Sequence, residues 1–479
     1  MANQVEKVNG IEIGKIEKIN GLTDAEIEKI NGLEFTGSTD PQYVTFATQD
    51  TGGTAIDGGT GFNTDRSEGT SLAFDPDTSQ VIVAFSDKAN STVPTIRIGT
   101  VSGTTITFGD KIVVSSNTNG TTSTGCHYDT LTDRLIVVYR SNYSPYWTDA
   151  GIFAKAFELN SSRGVDTAGS VATVFNSSSG NEVSRGNLSE IQDHDGVVDV
   201  LYEDKSDGDD NYIKTVRVTN ASTCALTVGS AAEFDTDASN YYGIAYSPDV
   251  DRNVVIYNSG NDIKAKAIEH LSGNAAPGSA STYNLSNSYL DASNPHGGST
   301  MIYDTEHNKF HFLFRYNGSS GNNAVNDNLY IGNLTCGGAG NNVITFGNTG
   351  NPSTTMNNTE EIDDLKYGYH QGSNYAGGGL IYSHQRQRII MHGNSSNAEA
   401  NGTKKFHVID YNGSAYTKSS SPIDINTQNG APWDTGSIRT DNTSGTLGNV
   451  NLISFFLYGG SNDGKTFIAG IDAGDSAIS

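Results

Sequence analysis

Short runs of four or five apolar residues, separated by polar turns, recur along this chain. In the clearest copies an aromatic followed by Asp or Ser closes one run, a polar turn follows, and a second run ends on another aromatic about ten residues later. These copies are Phe74-Asp75 to Phe85, Tyr128-Asp129 to Tyr139, Tyr246-Ser247 to Tyr257 and Tyr303-Asp304 to Phe314. Weaker copies sit at Asp193 to Tyr202 and Tyr382-Ser383 to Met391, and a distorted one runs from Asp441 to Leu457. Apolar runs this short, bounded by turn-forming residues, read as strands. The hairpin returns about every 55 to 60 residues, and repetition at that period implies a ring of small sheets rather than one layered core.

The expected fold is therefore an all-β propeller. Four strands per blade are exemplified by Ser71 to Phe74, Val81 to Phe85, Thr95 to Thr100 and Thr105 to Val114. The last blade, with strands at Gly436 to Thr440, Asn451 to Tyr458 and Thr466 to Ile471, lacks an outer strand. The orphan strand Tyr43 to Ala47 can supply it, which closes the ring and removes two exposed edges. The count is then seven four-stranded blades, at about 68–118, 119–180, 181–236, 237–291, 292–355, 356–427 and 428–479. Six or eight stay open, because the third and seventh copies depart from the aromatic-Asp pattern.

Residues 1–38 follow another rule and form a repeat arm ahead of the propeller at 39–479. Glu6-Lys7-Val8-Asn9-Gly10, Glu17-Lys18-Ile19-Asn20-Gly21 and Glu28-Lys29-Ile30-Asn31-Gly32 repeat with a period of 11. Asn-Gly favours chain reversal, since both residues tolerate positive φ. A capping box at Thr23 to Glu26 allows a short helix over Thr23 to Ile30, while the alternation Ile11-Glu12-Ile13 favours a strand, and both readings stay open. Either element is marginal alone, so Ile16, Ile19, Ile27, Ile30 and Leu33 are expected to gain order by docking, for anchoring or for homo-oligomer formation.

Composition narrows the function classes. A formal charge of −25 over 479 residues argues against nucleic acid as a partner, which needs clustered cations, and against anionic lipid. Fifty-five Gly and ten Pro suit a loop-rich all-β chain. Cys126, Cys224 and Cys336 make no metal motif and no complete disulfide set. The N-terminus carries no apolar stretch of signal-peptide length and no run could span a bilayer, so synthesis in a cytosol without a cleavable signal is expected.

Candidate chemistry is sparse. Asp75, Asp129 and Asp304 begin tight turns, where a carboxylate accepts backbone N–H groups. Asp204, Asp207 and Asp209 crowd one acidic loop without the spacing of a calcium loop, so no metal is expected. Ser461 to Phe467 looks like the Asp-box of sialidase-type propellers but is one residue short, stands alone and reads as a hairpin turn. Neither HExxH nor GxSxG occurs, and no cofactor motif, so no catalytic residue is assigned and the chain is expected not to be an enzyme. Two aromatic loops stand out: Tyr143, Tyr146 and Trp147, then Tyr367 and Tyr369 with His370 and Tyr375. Such rings offer flat surfaces with polar tips, suited to sugars or protein anchors, unless they fold down onto the blade.

The tandem Ile-Asn-Gly units, followed by blades of the type Ala73-Phe74-Asp75-Pro76, Val81 to Phe85 and Ile96 to Thr100, resemble virion structural and tail-fibre-like proteins of marine tailed phages, cyanophages included. The resemblance implies a virion location after assembly in the host cytoplasm, with the arm held by other virion proteins and the propeller contacting a host surface glycan or protein. The competing readings are a polysaccharide-degrading tailspike-type enzyme, a purely architectural virion part, and a bacterial surface lectin or adhesin.

Overall fold

The computed structural model describes residues 7–8, 11–12, 18–19, 22–23, 29–30, 33–34, 42–44, 60–64, 67–102, 105–116, 121–141, 151–176, 191–194, 196–204, 207, 210–236, 242–259, 262–271, 273–283, 288–290, 301–316, 328–347, 360–366, 379–383, 386–394, 404–418, 423–425, 431–437, 450–458 and 465–472. They form an all-β propeller-like structure. In the first blade Ser67–Asp75, Gln80–Asp87, Val93–Ser102 and Thr105–Val113 are antiparallel neighbours in chain order. Every residue of Gln80–Asp87 and of its counterpart Arg134–Ser141 is buried. Such a strand has a neighbouring blade on each face, and this is why it reads as an apolar run rather than an alternation.

The turn between first and second strands repeats in atomic detail. Asp75 accepts from the backbone N–H groups of Asp77 and Thr78 at 2.9 and 3.2 Å, and Asp304 from those of Glu306 and His307 at 2.8 and 3.2 Å. Asp129 accepts from the Leu131 N–H at 2.9 Å. The residue just before the second strand has positive φ in each of six blades: Ser79, Asp133, Gly196, Asp251, Asn308 and Gln387. The carboxylate holds the turn closed and the left-handed residue redirects the chain.

Most outer strands come in two pieces, both paired with the third strand. In the second blade Gly164–Ala168 pairs with one half of Gly151–Asn160 and Ala172–Asn176 with the other half. Ala225–Val228 with Ala232–Asp235, and Asn274–Pro277 with Ser281–Tyr283, repeat this. Two further meanders form one eleven-stranded sheet, because Glu360–Lys366 pairs with Asn328–Gly337 and also meets Asn394 through Lys366. The C-terminal meander is Ala431–Ser437, Val450–Tyr458 and Lys465–Asp472. Its outer strand comes from the N-terminal side in the same two pieces. Gln42–Val44 pairs with Gly470 to Asp472, and Thr60–Asn63 with Thr466 to Ile468. This first strand begins at Ala431, ahead of the expected Gly436, and Asp441 lies outside the described residues.

The first strands touch in succession: Ser67–Asp75, Thr121–Asp129, Ile191–His194, Tyr242–Ser247, Met301–Asp304, Gly379–Ser383 and Ala431–Ser437, the last returning to the first. Apolar packing lies between neighbours. Ile82, Ile96 and Ile98 pack with Tyr128, Leu135 and Val137, and Ile136 and Val138 pack with Val198, Val200 and Tyr202. The core is thus a set of seams.

In the arm, Lys7–Val8 pairs with Ile11–Glu12, Lys18–Ile19 with Leu22–Thr23, and Lys29–Ile30 with Leu33–Glu34. Each pair brackets one Asn-Gly, so Thr23, Lys29 and Ile30 are strand residues and not the ends of a helix. Ile19, Ile30 and Leu33 lie in these hairpins, whereas Ile16 and Ile27 lie outside the described residues. Cys126 and Cys224 are buried free thiols and Cys336 is a half-buried one. No helix among the described residues is long and apolar enough to cross a membrane.

Candidate functional site

Antiparallel order divides the connections between two faces. First-to-second and third-to-fourth turns leave on one face, and second-to-third and blade-to-blade connections leave on the other. Tyr143, Tyr146 and Trp147 lie in sequence between Arg134–Ser141 and Gly151–Asn160, whose facing ends pair Ser141 with Gly151. Tyr367 and Tyr369 lie between Glu360–Lys366 and Gly379–Ser383. All five aromatics are outside the described residues, but the strand ends that flank both segments emerge on the same face, away from the tight Asp turns.

Asp209 also lies outside the described residues, and Asp207 accepts a hydrogen bond from the Tyr212 hydroxyl at 2.5 Å. Among the described residues Asp75, Asp77 and Asp133 bring carboxylate oxygens within 4.8 Å of one another. Asp133 is engaged there by the Tyr128 hydroxyl, and Asp75 by its own turn.

The densest group of ionisable side chains sits on the turn face, where the blade of Lys309–Tyr316 meets that of Arg388–Asn394. Asp304, 2% exposed, accepts from the Tyr382 hydroxyl at 2.7 Å, His307 Nδ1 at 2.8 Å and His311 Nε2 at 3.2 Å. Burial works to raise the Asp304 pKa, but His311, Tyr382 and His307 outweigh it and hold the carboxyl well below the usual carboxylate range. His311 is fully buried, and burial keeps its pKa below the ordinary value despite Asp304. A neutral His311 with Nε2–H on Asp304 presents Nδ1 as acceptor to the Tyr416 hydroxyl, 2.8 Å away. Tyr416 in turn accepts from Asn333 Nδ2 at 3.1 Å. Lys309 Nζ donates to the Tyr411 hydroxyl at 2.6 Å, and Tyr411 is pushed up to about 12 by burial and by the Asp304 charge.

An Asp–His–Tyr chain has the parts of a proton relay, but here Asp304, His311, Tyr382 and Tyr416 are buried between blades and saturated with one another. The arrangement fixes a seam. His311 occupies a register position that is Ile82 or Ile136 at other seams, and Asp199 fills it at the seam with Tyr242–Ser247. Asp199 Oδ2 lies 2.7 Å from both Asn253 Nδ2 and His270 Nε2 of the next blade. From sequence, Asp304 points to turn chemistry alone; in the fold it serves both the turn and the seam. His311 and Tyr416, more than a hundred residues apart, carry no shared motif that would have joined them.

Cations on the third and second strands tie the seams further. Lys155, Lys214 and Lys266, each the centre of a third strand, donate to the carbonyls of Val114, Val174 and Phe234 on the preceding blade. Arg97 does the same to Phe62 at 2.6 Å, and burial pushes all four cations below their ordinary pKa. Their signal was a cation set between apolar neighbours, as in Ile96-Arg97-Ile98 and Ala154-Lys155-Ala156. On the turn face Gln80, Arg134, Arg252 and Lys309 begin second strands and donate to Asn160, Ala221, Gly340 and Gly413 carbonyls of the next blade, at 2.9 to 3.2 Å.

No family model matches the chain, and no curated protein matches it. Solved structures do match at the level of fold. The NanB sialidase from Streptococcus pneumoniae aligns over 90% of this chain and 70% of its own, at 8% identity and TM-score 0.41. A putative 6-phosphogluconolactonase from Bacteroides uniformis aligns over 74% and 84%, at 9% identity and TM-score 0.43. Trypanosoma rangeli sialidase aligns over 78% and 56%, at 10% identity and TM-score 0.39. These similar structures are named as enzymes, which corrects the expectation that the chain is not one: the absence of motifs was no ground for excluding catalysis. At such identities and TM-scores the likeness brings no residue and no reaction to this chain.

Proposed function

We propose that this chain is a virion-borne β-propeller whose loop face binds a glycan on a host cell surface and whose N-terminal repeat arm holds it to the particle. The observation that carries the reading is that the strands flanking the two aromatic segments end on one face. Strand ends at Ser141 and Gly151, and at Lys366 and Gly379, lie on the same face of the sheets, and the reading assigns Tyr143, Tyr146, Trp147, Tyr367 and Tyr369 to the ligand on that face. Rigid aromatics with polar tips stack on sugar rings and hydrogen-bond their hydroxyls, at low cost in conformational entropy. A charge of −25 favours a neutral or cationic glycan over a polyanionic one.

The test applies the full chain to purified bacterial surface polysaccharides, with binding and release of reducing ends measured in the same samples. Saturable binding that the triple variant Tyr143→Ala, Tyr146→Ala, Trp147→Ala loses is the expected result. Release of cut sugar would convert the reading to a polysaccharide-degrading protein acting from the same face. Binding that survives both the triple variant and Tyr367→Ala with Tyr369→Ala would overturn it.

A further inference from the structure

The three arm hairpins have one construction. Lys7 stands opposite Glu12 and Val8 opposite Ile11; Lys18 opposite Thr23 and Ile19 opposite Leu22; Lys29 opposite Glu34 and Ile30 opposite Leu33. Each is a separate two-stranded sheet. Among the described residues no arm strand pairs with another hairpin or with the propeller. A lone hairpin of this size is not stable in water, so its edges call for further strands.

The edges are not alike. One carries Lys beside Val or Ile, and the other carries Ile or Leu beside Glu, with Thr in the middle unit. Antiparallel pairing of the first edge with the second edge of another hairpin repeats the register already present, Lys against Glu and apolar against apolar. Pairing two like edges over the same two residues sets Lys7 against Val8 and gains neither match. Unlike edges therefore select a head-to-tail interface, which closes into a ring when the rotation between copies completes a turn. Among the described residues the hairpins of one chain do not pair with one another, which leaves the complementary edge at each level open to a second copy.

We infer that the arm joins copies of this chain head to tail, hairpin beside equivalent hairpin, in three stacked layers repeating every 11 residues. The partner is this chain itself. Lys7 and Lys29 each gain a second Glu at a paired register position, Lys18 a second Thr, and each apolar pair a second apolar pair. The inference builds on the anchoring role proposed for the arm and is independent of the glycan reading.

Sedimentation equilibrium of the full chain at micromolar concentration tests it, with glycan binding per chain measured on the same material. The wild type is expected as a discrete assembly of three or more copies. Lys7→Glu with Lys29→Glu is expected to dissociate it to monomers, with glycan binding per site and the thermal transition of the propeller unchanged. Adding Glu12→Lys and Glu34→Lys reverses both edges and is expected to restore the assembly. Ile19→Asp with Leu22→Asp, in the middle layer, is expected to dissociate it independently of Lys–Glu pairing. A monomeric wild type overturns the inference, as does an assembly indifferent to the charge reversal or a reciprocal exchange that fails to restore it.

Discussion

Replacing Gly109 by Ala tests whether blades press on one another as closely as the seams require. Gly109 lies in Thr105–Val113, and its carbonyl accepts from Arg97 Nε at 2.8 Å, which holds the strand in place. A Cβ there would stand 2.6 Å from the Arg163 carbonyl oxygen and 2.9 Å from Arg163 Cβ, both in a turn of the next blade. That turn is itself constrained, since Arg163 has φ 65° and Asn160 Oδ1 accepts the Ser162 and Gly164 N–H groups at 3.0 and 2.9 Å. Relief requires the two blades to part by roughly half an ångström, and forced overpacking of this kind costs about 1–3 kcal/mol. Against it stands a gain of about 0.4–1 kcal/mol from the stiffer unfolded chain. The net expectation is a loss of about 1–2 kcal/mol, seen as a lower urea midpoint. At Gly278 the nearest atom to a Cβ is the Ala267 carbonyl oxygen at 3.3 Å, and at Gly337 nothing lies within 4 Å. Gly278→Ala should be near neutral and Gly337→Ala neutral or stabilising. If Gly109→Ala unfolds no earlier than Gly337→Ala, the seam packing is wrong.

Asp304→Asn removes the carboxylate that accepts from Tyr382, His307 and His311, and leaving such buried donors short of an acceptor costs about 1–3 kcal/mol. Because the folded pKa of Asp304 is depressed, its contribution is present above the unfolded value near 3.9 and is lost as pH falls below it. The wild type should lose stability from about pH 4 downward, and the variant should show a shallower slope in acid denaturation curves. Tyr416→Phe leaves His311 Nδ1 and Asn333 Nδ2 without their shared hydroxyl and should cost about 1–3 kcal/mol in the same urea assay. Burial pushes the Cys126 thiol up to about 12 and Cys336 up to about 11, so the native chain should resist alkylation at pH 8. All three thiols should react once it is unfolded, as mass spectrometry would show.

The fold was legible where one physical need recurs. Every tight turn needs an acceptor for its N–H groups, which put Asp75, Asp129 and Asp304 at a fixed place before each second strand. Burial on both faces made that strand a continuous apolar run, as from Val81 to Phe85. The closing strand was legible because an edge must be paired, and Gln42–Val44 pairs where Tyr43 to Ala47 was expected. The split outer strands were not, since a break of a few residues leaves no mark in hydrophobic pattern. Nor were the seam polar groups, because His311 and Tyr416 meet through the ring and not through the sequence. Strand rather than helix in the arm turned on Asn-Gly, whose hairpin geometry outweighed the capping box at Thr23. The proposed ligand face lies beyond periodic reasoning altogether. Tyr143, Tyr146, Trp147, Tyr367 and Tyr369 stand in segments whose lengths no turn or strand dictates, so only their flanking strands place them. The same limit undid the exclusion of catalysis, because groups that act together can be brought together from distant blades.

The most direct test of the account is a saturation-binding isotherm of the full chain on intact bacterial cells, with one variant on each face. Tyr143→Ala, Tyr146→Ala and Trp147→Ala alter the loop face, and Leu131→Ser alters the turn face at a residue 74% exposed. Binding abolished by the first and unchanged by the second is the result expected. Binding lost through Leu131→Ser and kept by the aromatic variant would place the ligand on the opposite face and contradict the account.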